Sequence, residues 1–192
     1  VLTCCQIHQE MPLSGGILVF LSGQDEIESM QQRLEQMLPS IVNDSSSNDN
    51  NNSNSDSLSL TSPSSRTDYV IYPLYAAMLP EHQLLAFTTP TPGIRKIVLA
   101  TNIAETSVTV AGIRYVVDLG TVKMKLMSVE TGVEMLRRVL ISKSQANQRA
   151  GRSGREAPGI CYRVYSENAY ESMDTQSLPE IQRVQLSQVV LQ

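Results

Sequence analysis

No apolar run in these 192 residues approaches the ~18 that a membrane span needs. The first residues also lack the basic and apolar regions of a secretory signal. Cysteine is scarce: Cys4, Cys5 and Cys161 make an odd count without metal-ligand spacing. That pattern suits a reducing, intracellular setting better than a disulfide framework. No internal repeat is apparent; the length leaves room for one globular unit, and 41% hydrophobic content is enough to bury a sizeable core.

A basic excess is missing too, since the net charge is −4, but the average hides a segregation. Arg95 to Arg163 holds 12 Lys/Arg against 5 Asp/Glu, whereas residues 1–94 hold 2 against 10 and residues 164–192 hold 1 against 4. A basic block inside an acidic chain is an electrostatic footprint for a polyanion, with a merely solvated face as the alternative.

Asn43 to Ser57 contains only Asn, Asp and Ser, and Leu58 to Thr67 is hardly richer. With so little to bury, residues 43–67 read as a disordered insertion. Elsewhere short apolar runs alternate with helical patterns. Ile17–Leu21, Tyr69–Tyr75, Ile97–Ala100, Ile113–Asp118 and Cys161–Tyr165 read as strands. Ser22 is placed to cap a helix whose apolar residues are Ile27, Met30, Leu34, Met37 and Leu38, and Pro80 opens another reaching about Phe87. Strands buried on both faces and separated by helices predict a parallel α/β sheet. Lys123 to Ile141, with a turn at Glu130-Thr131-Gly132, reads as a β-hairpin projecting from it.

The segment QRAGRSGR, Gln148 to Arg155, is the densest in chemistry. Ser142 and Gln145 have the spacing of a capping box, which starts a helix there. At helical period Gln148, Arg152 and Arg155 share a face, with Ala146 and Ala150 turned to the sheet. Two guanidiniums backed by a glutamine make a fork suited to a phosphate chain; the competing reading is a basic, solvated helix end. Ligands of open α/β sheets bind beyond the strand carboxyl ends. Two polar clusters are expected there, Ser22-Gly23-Gln24 and Thr101 to Ser107, the latter preceded by Arg95-Lys96. With the fork they describe two phosphate-seeking surfaces, one for a nucleotide and one for a phosphodiester backbone.

These residues resemble the second RecA-like domain of the DEAH-box RNA helicases. ILVFLSGQDEIE (Ile17–Glu28) is similar to motif IV, PLYAAMLP to the family's PLYxxLP, RKIVLATNIAETSVTVAGIRYVVD (Arg95–Asp118) to motif V, and QRAGRSGR to motif VI. The likeness covers residues 15–192 apart from the insertion, with Pro179–Gln192 starting the connection to a following domain. It implies a RecA-like, P-loop-NTPase-type parallel sheet with a protruding hairpin, within an ATP-dependent RNA helicase. The partners it implies are RNA, a first RecA-like domain and C-terminal domains of the same protein, with no membrane.

Carried over by position, Gln148, Arg152 and Arg155 would face ATP, the arginines as fingers on the γ-phosphate. Ser107 would sense the γ-phosphate and attacking water. Phe87 would stack on the nucleobase, or else is a core phenylalanine. Ser22, Gly23, Arg95, Lys96, Thr101 and Asn102 would hold RNA phosphates, and the hairpin would split a duplex. Ala111 replaces an Asp that contacts ribose in many members, and Leu119-Gly120 replaces Pro-Gly. No Gly-rich Lys-Ser/Thr phosphate loop and no DEAH box occur, so ATP and Mg2+ would be held mainly by the first RecA-like domain. GICYRVY (Gly159–Tyr165) and PEIQR (Pro179–Arg183) resemble the branch with nucleolar members, which implies a nuclear or nucleolar rather than cytoplasmic setting. A non-catalytic nucleic-acid-binding or regulatory module on the same fold is the alternative, and a DNA-directed helicase of a neighbouring family is a third reading.

Overall fold

The computed structural model describes residues 1–45, 69–89, 91–106, 109–127 and 133–179. Most of the 43–67 insertion, Ser107 and the 180–192 part of the expected connection therefore lie outside the described residues. Strands β1 (Gly16–Phe20), β2 (Tyr69–Leu74), β3 (Arg95–Ala100), β4 (Ile113–Asp118) and β7 (Ile160–Arg163) form one parallel sheet in the order β2-β3-β1-β4-β7. Strands β5 (Thr121–Met127) and β6 (Glu134–Leu140) pair antiparallel in the expected hairpin. Helices α1 (Leu2–Glu10), α2 (Gln24–Ser45), α3 (Pro80–Leu85), α4 (Lys143–Ala150) and α5 (Glu167–Glu171) complete it.

The central strands β1 and β3 are buried at every position, as continuous apolar runs in a sheet covered on both faces must be. Successive side chains alternate between two cores. Ile17, Val19, Ile97, Leu99, Tyr115 and Val117 pack with Cys4, Cys5 and Ile7 of α1 and with Ile27, Leu34 and Leu38 of α2. Leu18, Phe20, Val98, Ala100 and Val116 pack with Leu74, Ala86, Ala104 and Val110 on the other face. A smaller cluster of Val122, Ile141, Ala146 and Met173 seats the hairpin base on α4.

Both ends of α2 differ from the sequence expectation. Helix α2 runs through Pro39 to Ser45, three residues into the segment expected to be disordered from 43. Its first helical bond runs from the Ile27 N–H to the Gly23 carbonyl, so Gly23 rather than Ser22 occupies the cap. Helix α1 carries little apolar periodicity and is an element the sequence pattern does not signal. Its carboxyl end closes the amino edge of the sheet over Arg95.

Candidate functional site

Because β3, β1 and β4 are neighbours, their outgoing loops stand side by side at the carboxyl edge. Leu21 N–H bonds the Ala100 carbonyl at 2.8 Å and Thr101 N–H bonds Leu74 at 3.1 Å, extending the ladder into the loops. Asn102–Ala104 then form one 3-10 turn, closed by Glu105 N–H to the Asn102 carbonyl at 2.9 Å. The turn sinks Ala104 into the core and leaves Asn102 exposed and Thr101 half-buried.

Ser22 is buried, and its N–H donates to the Glu26 carboxylate at 3.0 Å. Burial pushes the Glu26 pKa up, but hydrogen bonds from Ser22 and Arg138, with the charge of Arg138, outweigh it and hold the group below its ordinary value. Gly23 lies under the hairpin: a Cβ there would meet Lys123 Nζ at 2.8 Å. Lys123–Asp25 at 3.1 Å and Arg138–Glu26 at 2.6 Å hold the hairpin over the start of α2.

Arg95 and Lys96, expected among the phosphate contacts, sit at the opposite, amino end of β3 and are 0% and 1% exposed. Arg95 donates to the carbonyls of Gly15, Ile7 and Met11, the last at 2.7 Å. Its charge thus satisfies carbonyls at the end of α1, where a cation suits the helix dipole, and its guanidinium lies 5.5 Å from the Tyr115 ring centroid. Lys96 Nζ donates to Thr88 at 2.7 Å and Ala111 at 3.3 Å; burial pushes its pKa down to about 8, with Glu156 opposing. Both charges are committed inside the fold, which corrects the expectation that they face a nucleic acid.

The capping box at the start of α4 is present: Ser142 Oγ accepts the Gln145 N–H at 3.2 Å and Gln145 Oε1 accepts the Ser142 N–H at 3.1 Å. The helix ends at Ala150, however. Arg152 N–H bonds the Arg149 carbonyl and Ser153 N–H bonds Ala150, so residues 151–154 are turns. The helical face drawn through Gln148, Arg152 and Arg155 therefore includes only Gln148. Gln148 is exposed beside a shallow polar recess with Lys143, Ser144, Asn147, Thr175 and Gln176.

Leaving the helix carries the two arginines onto the loop after β3. Half-buried Arg152 donates to the Glu105 carbonyl, and exposed Arg155 donates to Thr109 Oγ1. Burial first, and then the Arg155 charge, lower the Arg152 pKa, while Glu105 raises it. The two like charges repel, a repulsion that a bound anion would relieve. Phe87 lies in the turn after α3, partly buried against the Leu18–Val116 core. Among the described residues no group of three or more His, Cys, Asp or Glu could hold a metal, and no helix is long and apolar enough to cross a membrane.

Beneath this loop lies Arg149, a residue that the sequence motifs do not single out. It is 0% exposed and donates to Glu105 Oε1 at 2.7 Å and Asp118 Oδ1 at 2.7 Å. Its guanidinium stands 4.8 Å from the Phe20 ring centroid. Gln145 adds a bond to the second Glu105 oxygen at 3.2 Å, and Tyr165 one to the second Asp118 oxygen at 3.1 Å. The available signal is spacing: Arg149 shares the sheet-facing side of α4 with Ala146 and Ala150.

Residues 4–157 match the family described as Helicase conserved C-terminal domain. The mouse ATP-dependent RNA helicase DHX33 is 42% identical over 97% of this chain and 24% of its own length. The Arabidopsis thaliana pre-mRNA-splicing factor ATP-dependent RNA helicase DEAH10 is 39% identical over 100% of this chain and 24% of its own. The crystal structure of the Escherichia coli DEAH/RHA helicase HrpB superposes with a TM-score of 0.75 at 32% identity, covering 99% of this chain and 21% of that one. The chain thus spans about a quarter of the length of the curated relatives it matches. A family match across most of the residues, with relatives of this kind, establishes that the chain belongs to the helicase C-terminal domains of the DEAH-box RNA helicases.

Proposed function

We propose that this chain is the second motor domain of an ATP-dependent RNA helicase, completing a nucleotide site whose phosphate cradle and Mg2+ belong to a first RecA-like domain. The observation that carries the reading is the docking of Arg152 and Arg155 on Glu105 and Thr109, in the loop that also carries Thr101 and Asn102. ATP supplies the phosphoryl group whose transfer to water the motor uses. Arg152 and Arg155 stabilise negative charge developing on the γ-phosphate oxygens, and Gln148 faces the same group from α4. Ser107 senses the γ-phosphate and the attacking water, and Phe87 offers an aromatic surface to the base.

On the other surface Thr101, Asn102, Ser22 and Gly23 hold RNA phosphates, contacts that position a strand without reading its sequence. Arg95 and Lys96 are left out because they are buried at the opposite end of β3 and bonded to carbonyls inside the fold. The hairpin of β5 and β6 is the edge against which a duplex opens. The splicing-factor description of the Arabidopsis relative favours a nuclear setting.

The test compares residues 1–192 alone with the same residues joined to a first domain that carries a phosphate loop. The joined protein should hydrolyse ATP faster with single-stranded RNA, and the isolated chain should not turn over. Hydrolysis by the isolated chain at the rate of the joined protein overturns this division of labour. A joined protein that binds RNA without hydrolysing ATP favours the non-catalytic module.

A further inference from the structure

The hairpin and the arginine-bearing turn share one buried anchor. Both ends of the hairpin meet at Gly120, whose N–H donates to Asp118 Oδ1 at 2.9 Å and whose carbonyl accepts the Ile141 N–H at 3.0 Å. Gly120 has φ +73°, and the Tyr165 ring lies 2.7 Å from where a Cβ would fall. The Tyr165 hydroxyl grips the other Asp118 oxygen. Arg149 closes the circle, with Nη1 on Asp118, Nη2 on the Thr121 carbonyl at 3.2 Å and Nε on Glu105. Glu105 in turn carries Arg152 on its carbonyl.

Arg149 and Asp118 are fully buried and Glu105 nearly so. With solvent excluded, no water can replace a partner that moves, so displacing one end strains the other. The hairpin's two ion pairs to α2 are different: Asp25 is 87% exposed and Arg138 62%. Solvent-screened pairs of that kind hold weakly. The hairpin is therefore bound more firmly to the arginine segment than to the helix it overhangs.

We propose that Arg149 and Asp118 are positioning residues that lock the hairpin base to the segment bearing Arg152, so that the two move as one body when the motor domains close. This role rests on the domain being half of an ATP-driven motor. Movement of the arginine turn toward the nucleotide is then delivered to the duplex-opening edge without slack.

The test uses the full-length helicase with Asp118→Asn and Tyr165→Phe, measuring RNA-stimulated hydrolysis and duplex opening on the same substrate. Asp118→Asn leaves Arg149 balanced by Glu105 alone, and Tyr165→Phe removes one hydroxyl but keeps the ring over Gly120. Duplexes opened per ATP hydrolysed should fall by roughly five-fold or more, the scale of a coupling between sites, while hydrolysis stays near the wild-type rate. Should Asp118→Asn fail to fold, Tyr165→Phe carries the measurement. A network that only stabilises the fold lowers both rates together and leaves their ratio unchanged; an unchanged ratio in Tyr165→Phe overturns the inference. A wild-type protein without RNA-stimulated hydrolysis overturns instead the motor function on which the coupling depends.

Discussion

The Arg152 guanidinium donates to the main-chain carbonyl of Glu105, 47 residues earlier in the chain. The carboxylate of the same glutamate is held by Arg149 and Gln145, and its N–H is bonded to Asn102. One residue therefore joins the turn proposed to hold RNA and the arginine proposed to act on nucleotide.

Arg149→Met should be among the most destabilising single changes, because it leaves Glu105 and Asp118 as buried carboxylates without a cation. A broken buried pair costs roughly 3–5 kcal/mol, which for a domain of this size lowers the melting temperature by about 10 °C. Adding Glu105→Gln and Asp118→Asn to Arg149→Met should recover much of the loss. Guanidinium unfolding of the single and triple variants checks this; equal loss in both would show that shape rather than charge balance matters there.

Lys96 makes stability depend on pH. Its folded pKa is about 8 against an ordinary 10.5, so the folded state releases the proton first. Between those values the unfolded chain binds more protons, and stability rises with pH. Lys96→Met should lack that rise, so the wild type gains on the variant across the window, with the cysteine and tyrosine contributions common to both. Denaturant titrations through the window measure it; a constant difference would mean Lys96 is not held in its buried site.

Gly120→Ala and Gly93→Ala both place a side chain at positive φ, +73° and +82°, a strain of roughly 1–2 kcal/mol. Only Gly120 has the Tyr165 ring against it, whereas a Cβ at Gly93 meets nothing within 4 Å. Gly120→Ala should therefore lower the melting temperature clearly more than Gly93→Ala. Equal effects would contradict the tight packing assigned to the hairpin base.

The parts of the fold legible in the sequence are those set by local pattern. Ile17 to Phe20 and Ile97 to Ala100 are apolar throughout, so two-sided burial and a parallel sheet are direct consequences. The Ser142–Gln145 capping box is legible because both partners lie within one turn. Features that depend on distant partners are not. Arg95 and Lys96 are charged, yet α1 and the loops around Thr88 and Ala111 cover them. Arg149 pairs with residues 31 and 44 positions away, beyond any periodicity. The helical period also carries α4 too far, past Gly151, where the backbone passes into turns.

The central claim is that the arginines after α4 act on nucleotide while the turn after β3 acts on RNA. Arg155 is the cleanest probe, being exposed and bonded to the Thr109 hydroxyl rather than to a buried group. The deciding measurement is RNA-free ATPase rate beside nucleotide-free RNA affinity at several salt concentrations, for Arg155→Ala and Asn102→Ala in the full-length protein. Arg155→Ala should lower hydrolysis by roughly 10³-fold, the scale of an arginine finger, with RNA affinity and its salt dependence unchanged. Asn102→Ala should weaken RNA binding and spare RNA-free hydrolysis. Full hydrolysis with weakened RNA binding in Arg155→Ala would contradict the account and make QRAGRSGR part of an RNA-binding face.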